Sequence, residues 1–242
     1  WSLIGYLRTD AASVVDMMAP IVDNLTIIKS YDGNVYWPQL GINNIGDLSP
    51  GWGYQINITT PLSFSYPSSA GRFSFSQDDK FSSIRFDKPK NTGNNMTLGI
   101  QEDAWLNVPE EGDEIVIYDQ QGLIVGNNKY RPQGSFVTIW GDDLTTHEKD
   151  GLSVGEKFDI KLFRYNSSAL ENVVVNSWIQ GEGFYNIDAI SLIGSVSQEN
   201  FVEKKLIRVT DLLGRDIIQD TQNTTLLYLY DDGSIEKKYL LK

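Results

Sequence analysis

The residues able to do chemistry are few. His147 is the only histidine, and it sits in the run GDDLTTHEKDG from Gly141 to Gly151. A Ser-His-Asp hydrolase would have to use it, yet no Gly-x-Ser-x-Gly elbow supplies a nucleophile. The chain has no cysteine, which removes thiolate catalysis, disulfides and Cys-based metal sites together. Zinc hydrolysis is left with one imidazole, too few for a metal that recruits nitrogen and sulfur. No GxxxxGK[ST] phosphate loop and no strand-GxGxxG-helix unit occurs. With 32 Asp and Glu residues some pair always meets glycosidase spacing, so spacing selects none. The expectation is a chain without an enzyme site.

Two binding chemistries remain. Asp142, Asp143, Glu148 and Asp150 put four carboxylates within nine residues, and Thr145 and Thr146 add hydroxyls. Calcium takes about six to eight oxygens from a flexible loop, so this stretch has the composition of a calcium site. It lacks the EF-hand pattern. The alternative is that its Asp and Gly residues serve turn geometry. The second chemistry is aromatic. Tyr36-Trp37 and Trp52-x-Tyr54 lie beside turns, and Trp105 stands further on. Exposed aromatic faces on a β scaffold stack on sugar rings. The alternative is that Trp37 and Trp52 fill the core of a small module.

The charge balance narrows the partners. A net charge of −12 and a pI near 4.5 argue against nucleic acid and anionic membrane surfaces. The longest apolar runs, 115–118 and 226–230, are far too short for a membrane span. At 242 residues, 40% hydrophobic and 21% charged, the chain can bury a sizeable core. No signal peptide is visible. The chain opens at Trp1 without an initiator Met, as a processed piece of a longer precursor would.

Three segments must position these residues. Residues 1–66 predict a small α+β or β module: a strand over 1–7, a helix over 11–19 stopped by Pro20, and a hairpin of 25–29 with 35–37 about an Asp32-Gly33-Asn34 turn. The Ser/Pro-rich stretch 61–70 reads as a linker, and 72–86 alternates as a half-buried strand pair. Residues 67–201 then predict an antiparallel β-sandwich, with strands at 95–100, 114–119, 122–125, 135–140, 157–163, 173–179, 183–188 and 189–195. Residues 202–242 form a C-terminal β appendage of short alternating strands, too small to build much core alone. The fold class is mainly β.

The appendage carries Val209, Asp211, Leu213, Gly214, Arg215 and Asp216, followed by closing strands at 226–230 and 234–240. With these it resembles the carboxy-terminal sorting domain of proteins exported by the type IX secretion system of Bacteroidetes. Residues 1–66, with WSLIGY at 1–6, IVDNLTIIK at 21–29, GNVYWP at 33–38 and GYQI at 53–56, resemble a module repeated in long surface proteins of marine Bacteroidetes. The resemblance implies an extracellular or outer-surface address and the type IX machinery as a partner. It supplies no chemistry. Sequons at Asn24, Asn57, Asn95, Asn166 and Asn223 carry little weight in a bacterial chain.

The expected function is a non-catalytic cell-surface protein, either an adhesin segment or a subunit of a surface assembly. Its partners would be surface glycans or copies of itself, joined through strand edges at 1–7 and in the tail. The alternative is a carbohydrate-binding accessory region of a secreted polysaccharide-degrading enzyme.

Overall fold

The computed structural model describes residues 1–68, 85–200, 206–217, 224–230, 233 and 235–240. The alternation expected over 72–86 lies, except for its last two residues, outside them. The chain is mainly β and divides into two compact units, Trp1–Asn200 and Phe201–Lys242.

The first unit opens with β1 (Ser2–Gly5), β2 (Ala12–Ser13) and α1 (Val14–Met18). A 3-10 stretch, Ala19–Asn24, leads into β3 (Leu25–Ser30), β4 (Val35–Trp37), β5 (Ile42–Asn43), β6 (Asp47–Leu48) and β7 (Gly53–Ile58). The helix is shorter than the sequence predicts. Ser13 still belongs to a strand and caps the helix, its hydroxyl accepting from the Asp16 N–H. Pro20 then turns the continuation into a 3-10 helix, because it lacks the N–H that a further α-turn needs. Val14, Met17 and Met18 are buried and anchor this short helix.

Five strands form an antiparallel sheet in the order β1-β7-β3-β4-β5, while β2 pairs with β6. Residues 61–68, expected as a linker, pack on this module instead. Leu62, Phe64 and Tyr66 lie against its core, and the Tyr66 ring meets Tyr6 edge-on at 5.3 Å. The serines between them hide a period of two inside a linker-like composition.

Seven further strands follow: β8 (Asn95–Ile100), β9 (Glu114–Tyr118), β10 (Ile124–Lys129), β11 (Ser135–Trp140), β12 (Asp159–Arg164), β13 (Ala169–Gln180) and β14 (Ile190–Asn200). Their order is β10-β9-β12-β13-β14-β8-β11, antiparallel throughout except for the β14–β8 pair. The sheet curls until its two edge strands approach each other. The Asn128 side-chain amide donates to the Phe136 carbonyl, and a Cβ on Gly126 would lie 2.7 Å from the Thr138 carbonyl oxygen. One apolar cluster fills the curl, with Leu98, Ile117, Val137, Leu162 and Ile193 at its centre. The strand expected over 183–188 is a loop, bridged at Lys157 and Phe184 and tied by backbone hydrogen bonds to Gly155, Glu156, Phe158 and Asn95.

The outer face of the curled sheet packs on the five-stranded sheet, completing the sandwich. Ile27, Val35, Trp37, Leu40 and Ile42 meet Phe136, Ile190 and Leu192 there. Gly99 permits the close approach, since a Cβ at that position would stand 2.9 Å from the Trp37 ring.

In the second unit β15 (Leu206–Asp211), β16 (Thr224–Tyr230) and β17 (Ile235–Leu240) form an antiparallel sheet in that order.

Candidate functional site

A groove of about 610 Å³ lies over β12, β13 and the loop 182–184. Asp159, Lys161, Asn172, Val174, Trp178 and Phe184 are among the residues that line it. Trp178 is half-buried, one side resting on the core cluster. Phe184 is 42% exposed. The β13–β14 register shifts repeatedly between Val175 and Gln180, around Trp178. Such bulges re-aim side chains out of strict alternation. Around the aromatics stand carboxylates, an amide and two ammonium groups: Asp159, Glu182, Asn172, Lys157 and Lys161. The Lys161 ammonium lies 4.9 Å from the centre of the Tyr118 ring, and burial pushes the Tyr118 phenol up. Asp159 and Glu182 are open to water, which suits hydrogen bonding to a hydroxylated ligand.

Two of the aromatic residues singled out in the sequence are corrected. Trp37 is 3% exposed and Trp105 is 5% exposed, so neither presents a face to a sugar. Trp37 fills the joint between the sheets, and Trp105 packs edge-on against Tyr130 at 6.1 Å. Trp52 is exposed, beside Gly53 at the start of β7. The aromatic pair that lines a groove, Trp178 and Phe184, flanks the Gly181-Glu182-Gly183 turn. Proximity to a turn, the criterion that selected Trp37 and Trp52, would have found it.

The acidic loop is built as a turn. Asp142 Oδ1 accepts the Asp150 N–H at 2.9 Å, and Asp150 Oδ1 accepts the Asp143 N–H at 2.9 Å. Asp143 Oδ1 takes both the N–H and the hydroxyl of Thr145. The Lys90 ammonium pairs with Asp150 and holds its carboxyl below the usual range. Lys149 reaches out of the loop to Asp119 at 2.7 Å and Glu156 at 2.6 Å. Glu148 and His147 are exposed. Among the described residues no group of three or more His, Cys, Asp or Glu side chains is placed to hold a metal. Of the four carboxylates expected to take calcium, Asp142 and Asp143 each give one oxygen and Asp150 both to backbone, Thr145 or Lys90 donors, while Glu148 is exposed.

The tail motif forms one compact turn. Asp211 Oδ1 accepts the N–H groups of Leu213 and Arg215, and its Oδ2 takes the Arg215 guanidinium at 2.7 Å. Gly214 has φ 79, the left-handed conformation that glycine adopts without strain. Arg208 pairs with Asp216 across the same turn. Leu212 and Leu213 are exposed.

A second polar cluster lies in the joint between the sheets, where the sequence gives no warning of it. Lys29 on β3 is 2% exposed. Its ammonium donates to Asn95 Oδ1 on β8 at 2.7 Å, stands 3.7 Å from the Asp188 carboxylate and sits over the Trp1 ring at 4.9 Å. Asn95, expected only as a weak sequon, is 7% exposed. Asp188 has φ 58, and its N–H donates to the Asn95 carbonyl. Burial pulls the Lys29 ammonium down from 10.5 to about 8, against the opposing pull of Asp188.

Comparisons with protein-family models, with curated proteins and with solved structures find no match.

Proposed function

We propose that the chain is a non-catalytic extracellular surface protein, an adhesin segment that binds glycans along the β12–β13 groove. The observation that carries this reading is the pairing of Trp178 and Phe184 with hydrogen-bonding groups around an open groove of about 610 Å³. A sugar offers apolar C–H faces and a ring of hydroxyls, and this lining matches both. The outer-surface address rests on the likeness of the tail to type IX sorting domains. The carbohydrate-binding accessory reading uses the same groove, and it differs only in what the chain is attached to.

A glycan array read with the wild-type chain and with Trp178→Ala tests the binding. Hits are expected for the wild type, with affinity weakened at least about tenfold, or roughly 1.4 kcal/mol, in the variant. An array without hits, or hits indifferent to Trp178 and Phe184, would sink the assignment. The address has its own test. A periplasmic reporter carrying residues 202–242 should reach the surface of a type IX-competent cell, and Asp211→Ala should retain it inside.

A further inference from the structure

We propose that Lys29 and Asn95 join in an intramolecular isopeptide bond, with Asp188 carrying the proton. The three groups are already assembled: amine to carboxamide oxygen at 2.7 Å and amine to carboxylate at 3.7 Å. Amine and carboxamide are both buried, so the reacting atoms meet where water does not compete. Reactants held this way act at an effective concentration far above that of free amines and amides.

The balance closes without any co-reactant. Neutral Lys29 Nζ attacks Asn95 Cγ, giving a tetrahedral centre. Asp188 takes the proton that the attacking nitrogen sheds and returns it to the carboxamide nitrogen. The Cγ–Nδ2 bond then breaks, one ammonia leaves, and a secondary amide links Nζ to Cγ. Burial, by disfavouring the ammonium form, keeps a share of the amine neutral and nucleophilic. The loop at Asp188 fits the role. Its left-handed φ of 58 is uncommon for a residue with a side chain, and its N–H bond to the Asn95 carbonyl fixes it beside the reacting pair.

The chemistry also answers a feature of the composition. A chain without cysteine has no disulfide to staple its parts. A Lys29–Asn95 amide would tie β3 of one sheet to β8 of the other, across the joint that binds the first unit together. The inference is independent of the groove, and the failure of either leaves the other standing.

Intact-mass spectrometry of the full chain decides it. The wild type is expected to be lighter than its sequence by one ammonia, and digestion should release a branched peptide joining the segments that carry Lys29 and Asn95. Lys29→Arg should restore the full mass, and Asp188→Asn should leave most chains uncrosslinked. A wild-type chain at full sequence mass overturns the proposal without recourse to any variant. So does a mass deficit that survives Lys29→Arg, since succinimide formation at an asparagine also expels ammonia. A branched peptide formed equally fast in Asp188→Asn would overturn the role given to Asp188.

Discussion

A single aspartate shapes each of two hairpin turns in the same way. Asp119 Oδ1 accepts the N–H groups of Gln121 and Leu123, and Gly122 follows with φ 92. Asp211 repeats the arrangement with Leu213, Arg215 and Gly214. The D-x-x-G spacing is therefore a turn signal with a mechanism. Asp119 is the more consequential of the two, because its side chain is 1% exposed. Burial opposes its ionisation, but bonds from Lys149 and from the Leu123 and Gln121 N–H groups outweigh that and hold its carboxyl low. A depressed carboxylate stabilises the fold above its ordinary range, and that contribution is lost as pH falls through the folded value. Asp119→Ala is expected to cost about 2–4 kcal/mol at neutral pH, read from the urea midpoint, and the deficit should narrow in acid. A deficit constant from neutral pH into acid would refute the assignment. Lys29 is the opposite case for legibility. It ends an IIK run that reads as an ordinary strand, and its partner Asn95 lies 66 positions away. Nothing local marks the pair.

At the level of elements, the strands expected at 35–37, 95–100 and 135–140 form with those bounds. What periodicity could not convey is how far the seven-stranded sheet curls. That depends on one residue without a side chain: Gly126 lets β10 lie against β11, with the Thr138 carbonyl where a Cβ would go. In the sequence this glycine reads only as a weak point in a strand. Gly126→Ala forces backbone apart and is expected to destabilise by about 1–3 kcal/mol. Gly53→Ala is the matched control, since its nearest neighbour is the Leu3 side chain at 3.8 Å and the cost there should stay within about 0.5 kcal/mol. Equal effects at the two positions would mean the edges do not close. The groove escaped notice for a related reason. The bulges in β13 around Trp178 break the alternation that makes a strand readable, and they are what aim the ring at the groove.

For the first unit as a whole, the joint between its sheets is apolar and also holds the one buried Lys or Arg among the described residues. Trp37 and its neighbours contribute apolar burial. Lys29 opposes them, because its charge is held out of water. A covalent bond to Asn95 would remove that charge and close a 66-residue loop, worth about 4 kcal/mol by the chain-entropy argument used for disulfides. The two states of the joint respond differently to pH. In an Asn95→Ala chain the amine cannot react and stays titratable. Its folded value of about 8 lies below the ordinary 10.5, so between these limits the unfolded chain binds more protons than the folded one. Stability should then rise with pH across that window. Tyrosines work the other way: burial pushes Tyr185 up to about 12, so its contribution falls once pH passes 10. Confining the measurement to pH 7.5–9.5 separates the two, as an approximate working range. Across it, urea midpoints of the Asn95→Ala chain are expected to climb relative to those of the wild type. If the wild type climbs in parallel, its Lys29 amine is still free, and the joint is held by packing and an ion pair rather than by a bond.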